Sequence, residues 1–430
     1  MLFSQITYLD ADFIPHPGGY VGVQSGKIAY VGDQPPLEDY GETYEGAGKL
    51  LLPGFYNAHS HAPMTLLRGY GESLTLHDWL NDRIFPFEDK LTPEDVYAGM
   101  LLGIAEMLRF GVVSATDMYY FGDAMCRAVL DAGIKFNVSM GTTVFDERGY
   151  VDLPRYEENE TLVRTYHNAM DGALKIDLAI HAEYTSTPKV VAQTAEHAVK
   201  LGVRTHVHLS ETQSEHEACK ARHKGLTPAA YLDSLHFFDT PTTAAHCVWL
   251  EEGDVSILAQ RGVTAATCPA SNLKLASGVC NVPQLLQAGV SVALGTDGVA
   301  SNNSLNFIEE MKLLSLLQKG RWGDPRLMTP AQTLYAATRA GALSQGREDC
   351  GLIQPGFRAD LIVLDMAQPY WHPVHDVLNN LVFSASGADV CLTMVDGRVL
   401  YRDGVYPTLD LERIYSDSER IRTRILAQLA

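Results

Sequence analysis

The chain has 430 residues, 46% hydrophobic and 20% charged, ordinary proportions for a globular protein. That length exceeds what one core usually covers, so a large domain with a smaller one is expected. A formal net charge of −19 with no basic cluster excludes a nucleic-acid polymer as partner, while leaving a free nucleoside open.

Seven cysteines form no C-x-x-C pair, no apolar stretch approaches a membrane span, and Met1-Leu2-Phe3-Ser4-Gln5 does not resemble a leader. A soluble, cytoplasmic chain with reduced thiols is expected. Along the chain, residues 5–9, 19–23 and 27–33 read as short strands. Leu50-Leu51-Leu52, running into Pro53-Gly54-Phe55, reads as the first strand of a repeated unit. Strand-like runs recur at 111–116, 135–140, 176–180, 203–207, 242–245, 263–267 and 290–294, with helical stretches between them. The clearest helix is predicted from Pro93 to about Phe110, capped by Thr92 and stopped by Gly111. Eight such βα units predict a (β/α)8 barrel of residues 56–349. Residues 359–364 and 391–398 return to strand texture, so 1–55 and 350–430 are expected to form one small sheet domain together.

Five segments carry the chemistry: His59-Ser60-His61, His181, His208-Leu209-Ser210-Glu211, His246 and Asp297. Each falls just past a β-prone run, at the strand ends where barrel enzymes react. His59 and His61 share a side if the backbone is extended, so one metal ion takes both. An isolated H-x-H is often a surface pair; here it follows an apolar run and a Pro-Gly turn, and further ligand types follow at later strand ends. His208 ends its strand, and Glu211, three residues on, is placed to move a proton of an attacking water. His206 reads as a strand histidine, packed nearby or exposed. Asp297 is either an Asp-Gly turn carboxylate or aimed at the same centre, and His246 alone is equally well a structural histidine. The P-C-x-x-C that would complete His181-Ala182-Glu183 as a Cys-type zinc deaminase is missing, and so are a complete H-E-x-x-H, G-x-G-x-x-G and G-x-S-x-G.

Together, residues 53–64, 208–212, 245–250, 271–278 and 295–303 resemble the amidohydrolase superfamily over nearly the whole chain. They are most similar to its S-adenosylhomocysteine/methylthioadenosine deaminase branch, whose relatives include chlorotriazine hydrolases and guanine deaminases. The resemblance implies a (β/α)8 barrel with a composite β-sandwich from both termini. It implies one divalent metal ion, zinc, on His59, His61, His208 and Asp297, with Glu211 and His246 handling water. A second metal would need a carboxylated lysine where strand 4 here ends in His181, which the resemblance places against the substrate ring. Pro86-Phe87-Glu88 matches the element that binds ribose hydroxyls through Glu88. Arg155, in a segment that reads as a loop, resembles an arginine that contacts the amino-acid tail of a larger substrate. The branch usually has H-x-P-Y where this chain has His181-Ala182-Glu183-Tyr184, which would put a negative charge in the pocket wall. Thr267-Cys268-Pro269-Ala270 likewise replaces a usual His-Asn-Pro-Glu.

The expected reaction is hydrolytic deamination of an adenine nucleoside, with Glu211 as proton carrier and Asp297 and His246 orienting the nucleophile. The alternatives are another N-heterocycle hydrolase (a guanine or pterin deaminase, or a chlorotriazine-type enzyme) and an inactive barrel scaffold. Subunit pairing stays open.

Overall fold

The computed structural model describes residues 1–429. The N-terminal strands are β1 (Leu2–Leu9), β2 (Pro15–Gln24), β3 (Lys27–Gly32), β4 (Thr43–Glu45) and β5 (Lys49–Pro53). Then come β6 (Phe55–Ser60), β7 (Val112–Met118), β8 (Lys135–Ser139), β9 (Gly141–Thr142), β10 (Leu174–Ile176) and β11 (Leu178–Ala182). The rest are β12 (Thr205–Leu209), β13 (Thr242–His246), β14 (Thr264–Thr267), β15 (Ser291–Leu294), β16 (Leu361–Asp365), β17 (Val390–Val395) and β18 (Arg398–Arg402).

Both termini build one sheet in the order β18-β17-β16-β5-β1-β2-β3, with β4 beside β1. The seam is antiparallel β5 on β16, with Leu52 opposite Ile362. Side chains there alternate between two cores, as a pleat requires. Leu50, Leu52, Ile362 and Leu364 join the barrel's apolar cluster. Leu51, Leu361 and Val363 join a smaller one with Phe3, Ile6, Val21 and Met394. Residues 50–52 were expected to open the barrel, but they belong to this sheet. A strand covered on both faces reads as an unbroken apolar run, as a barrel strand does. The barrel starts instead at β6, one residue beyond β5.

From β6 to β15 every strand pairing is parallel. β8 with β9, and β10 with β11, each act as one strand interrupted by a single residue, which makes eight staves. A parallel bridge between Ser60 and Asp297 closes the ring. The amides of Thr296 and Asp297 donate to the His59 carbonyl at 3.1 and 3.0 Å. Closure therefore sets the aspartate ending the last strand beside the histidines ending the first. The helix Pro93–Arg109 forms as its residues dictate: Thr92 and Asp95 cap each other reciprocally and Gly111 adopts φ +81°. The helix Leu411–Leu429 buries Ile414, Ile421 and Ile425 and lies on Pro93–Arg109, so the C-terminal piece serves the barrel as well as the sheet.

At the N-terminal strand ends, Lys135 is bonded to Asp360, which also accepts from Tyr56, and lies 2.8 Å from Asp396. Beside it Arg347 donates to Asn137, Ala173 and Gly172. Among the described residues, no helix is long and apolar enough to cross a membrane.

Candidate active site

Four side chains converge at the opposite end of the barrel. The Nε2 atoms of His59 and His61 lie 3.3 and 3.2 Å from Asp297 Oδ1, and those of His61 and His208 are 3.2 Å apart. Donor atoms of His59, His61 and His208 all fall within 4.8 Å of one another, as do those of His59, His246 and Asp297.

The outer atoms of these groups are already engaged. His61 Nδ1 donates to the Met118 carbonyl at 2.5 Å and His208 Nδ1 to the His181 carbonyl at 2.7 Å. Their Nε2 lone pairs therefore face inward. Asp297 Oδ2 accepts from Ser271 at 2.6 Å and Ser301 at 2.7 Å, leaving Oδ1 to the histidines. His59 Nε2 is wholly buried and has no hydrogen-bond partner. Leaving a buried acceptor unpaired costs about 1–3 kcal/mol, a cost that ligating a cation removes. Three imidazole nitrogens and a carboxylate oxygen suit a borderline-soft divalent ion. The donor set fits such an ion.

Glu211 stands beside these groups. Its Oε1 accepts from Ser277 at 3.0 Å, and its Oε2 lies 3.7 Å from His246 Nε2. His246 Nδ1 donates to Asn272 at 2.9 Å, which aims Nε2 at the same point. Glu215 accepts the amides of Ser210 and Glu211 at 3.2 and 2.7 Å and so fixes the turn that carries the carboxylate. Ser210, His246 and Asp297 hold left-handed backbone, with φ of +48°, +70° and +61°. Such positions cost about 1–3 kcal/mol each and persist only where surrounding bonds enforce them.

A cavity open to solvent rises from this cluster, with Met64, Trp79, Phe85 and Ile84 as apolar wall and Glu88, His181 and Glu211 as polar groups. An apolar wall with a few convergent polar groups suits a small organic ligand. His181 bonds Thr185 through Nδ1 at 3.1 Å, and burial lowers its pKa to about 4, so it is neutral. Glu88 has a buried, unpartnered Oε1, and burial pushes its carboxyl up to about 7. A second cavity shares Phe85, Glu88, Tyr120 and Thr143 with the first and holds Arg155 in its wall. Arg155 sits in the first turn of a helix, Pro154–Tyr166, where the sequence reads as a loop; Pro154 at N1 starts it. Its Nη1 is buried without a partner.

Glu183 does not enter the pocket wall. It is 2% exposed, turned away from the cavity, and bound by Arg222 at 2.5 Å and His223 at 2.7 Å. The charge expected beside a ligand is neutralised behind the wall, and Tyr184 lines the cavity instead.

The chain matches the amidohydrolase family model over residues 50–400. It is 41% identical over 422 residues to a 5-methylthioadenosine/S-adenosylhomocysteine deaminase of Moorella thermoacetica, covering 96% of this chain and 98% of that one. It is 38% identical to a 5'-deoxyadenosine deaminase of Methanosarcina mazei, over 99% and 98% of the two chains. A solved adenosine deaminase from Xanthomonas campestris with bound zinc superposes with a TM-score of 0.92 at 30% identity, over 99% and 98% of the chains. The chain belongs to the amidohydrolase family.

The electrostatics of this amidohydrolase site treat its histidines differently. Burial holds His59 at about 3 and His208 well below the usual imidazole range. For His61, burial lowers the pKa, but the bond and charge of Asp297 and the charge of Asp117 outweigh it and raise it to about 9. Asp117, the penultimate residue of β7, was not singled out from sequence. It accepts from Ser60 at 2.9 Å and from the Ala62 amide at 2.6 Å, tying down the H-x-H segment. Ser271, Asn272, Ser277 and Ser301 were also not assigned roles; short polar residues in loops carry no signal until the loops meet.

Proposed function

We propose that this amidohydrolase deaminates an adenine nucleoside of the adenosine, 5'-deoxyadenosine, methylthioadenosine or S-adenosylhomocysteine type, releasing the inosine derivative and ammonia. The observation that carries this reading is the inward set of three imidazoles and one carboxylate beside a buried glutamate, at the foot of a cavity with a second carboxylate in its wall. Relatives with deaminase names at about 40% identity support it.

His59, His61, His208 and Asp297 would hold one zinc ion, and Glu211 and His246 flank the reacting water. Bound there, zinc supplies the Lewis acidity that makes water nucleophilic near neutral pH. Glu211 takes the proton of the attacking water at Oε2, its Oε1 being held by Ser277. Burial raises its pKa, so it keeps that proton long enough to hand it to the ring nitrogen beside the carbon under attack. The water oxygen bonds to C6, the C6–N bond breaks, and the amino group leaves as ammonia with the remaining water proton. His246, fixed by Asn272, orients the water. His181 presents Nε2 to the purine ring. Glu88 accepts from ribose hydroxyls, which a free base such as guanine lacks. Arg155 offers its unpartnered nitrogen to the carboxylate of the longest substrates, across the adjoining cavity. Seven free cysteines, six of them buried, support a reducing, cytoplasmic setting.

The test is loss of absorbance near the adenosine maximum with the four nucleosides and guanine, on zinc-loaded, chelator-stripped and reconstituted protein. Turnover of at least one nucleoside is expected, abolished by stripping and restored by zinc. A zinc-loaded protein that converts none of them overturns the reading.

A further inference from the structure

His59 differs from the other two histidines of the proposed metal set in what holds its outer nitrogen. His61 and His208 donate to backbone carbonyls, which can only accept, so their tautomers are fixed whatever the neighbouring side chains do. His59 Nδ1 instead meets another imidazole, His206 Nε2, at 2.9 Å. Either nitrogen of that pair can carry the proton, and the two choices have opposite consequences. If His206 donates, His59 must carry its proton on the inward Nε2 and cannot ligate.

The surroundings resolve the choice. Ser139 Oγ donates to the Asp117 carbonyl at 2.8 Å, so its proton is committed there and its lone pairs face His206 Nδ1 at 3.5 Å. His206 therefore carries its proton on Nδ1 and presents a bare Nε2. His59 donates to it from Nδ1 and turns its Nε2 lone pair inward. His59 donates to His206, His206 to Ser139 and Ser139 to the Asp117 carbonyl, and every member of this one-way chain is buried.

We infer that His206, which the proposed function gives no role, is the positioning residue that sets His59 as a metal ligand through the Ser139–His206–His59 chain. The inference rests on the metal-site reading above. His206 touches neither substrate nor ion; it acts on the tautomer and ring orientation of the one histidine ligand whose backing is a side chain. Outer partners of this kind typically change metal affinity by about 10–100-fold when lost.

The test compares His206→Gln, whose side-chain oxygen can accept from His59, with His206→Met, of similar length but lacking a strong acceptor. Zinc affinity is read by chelator competition and kcat at saturating zinc. H206M is expected to bind zinc about 10–100-fold more weakly, and H206Q to stay within about threefold of the unmodified protein. Excess zinc is expected to restore most of the H206M activity, since no reacting group is removed. Equal affinity in H206M and the unmodified protein, or equal weakness in both variants, overturns the inference. Nitrogen-15 NMR of the unmodified zinc-loaded protein is a second route that needs no variant. It should find His206 protonated on Nδ1, and protonation on Nε2 overturns the inference. If the unmodified protein takes up no zinc, the site reading fails with it; if it does and H206M matches it, only this inference fails.

Discussion

Both ends of the barrel bury ionisable groups but treat them differently. At the N-terminal strand ends Lys135 is enclosed by Asp360 and Asp396, and Arg347 by carbonyls and Asn137. Each cation faces anions or acceptors. At the C-terminal ends, His59 Nε2 and Glu88 Oε1 are buried without partners, and Glu88 lines a cavity. The first pattern holds the terminal sheet to the barrel. The second leaves binding capacity for something that is not part of the chain, which is the division of labour expected of barrel enzymes.

Removing the proposed proton carrier, Glu211, should have the largest effect. Glu211→Gln is expected to lower kcat by about 10²–10⁴-fold while zinc content stays stoichiometric, measured by steady-state assay and metal analysis. Near-normal turnover in that variant would break the assignment. At the other end, Lys135→Met leaves the buried Asp360 without its cation. It is expected to cost about 3–5 kcal/mol of stability in denaturant melts, with kcat/KM of the folded protein unchanged. A loss of activity without a loss of stability would reverse the roles of the two ends.

A smaller effect is expected from Glu310, which borders the site and accepts from the Ala270 amide at 3.1 Å and Asn302 at 2.7 Å. Burial pushes its carboxyl from 4.5 up to about 8, only partly offset by those two bonds. Between these values the folded chain keeps a proton that the unfolded chain releases. The group's stabilising contribution is therefore full below 4.5 and is lost as the pH rises through about 8. Thermal melts of Glu310→Gln should lose less stability across that window than the unmodified protein does. A steeper fall in the variant would show that the carboxyl stays ionised. The smallest change is expected for Glu183→Gln, since Glu183 faces Arg222 and not the cavity. KM for the best nucleoside should stay within about threefold. A tenfold shift would place Glu183 in contact with substrate after all.

Much of this arrangement was legible in the sequence wherever a local pattern implied a local geometry. The Thr92-Pro93 cap, the Gly111 stop and the apolar runs ending in His208, His246 and Asp297 are such cases. Leu50–Leu52 misled because two cores, one on each face, erase the alternation that marks a sheet strand. Glu183 misled for a different reason. Its place after His181 is local, but the Arg222 and His223 that turn it outward come from a helix some forty residues on. His206 looked like a spare strand histidine, and its value depends on Ser139 and Asp117 from two other strands.

The sequence by itself determined the alternation of strands and helices and which residue types stand at the strand ends, because periodicity and turn chemistry act over a few residues. Only the tertiary structure decided which nitrogen of each histidine faces inward and which carboxylates are neutralised, because both depend on hydrogen-bond partners that barrel closure brings together from distant parts of the chain.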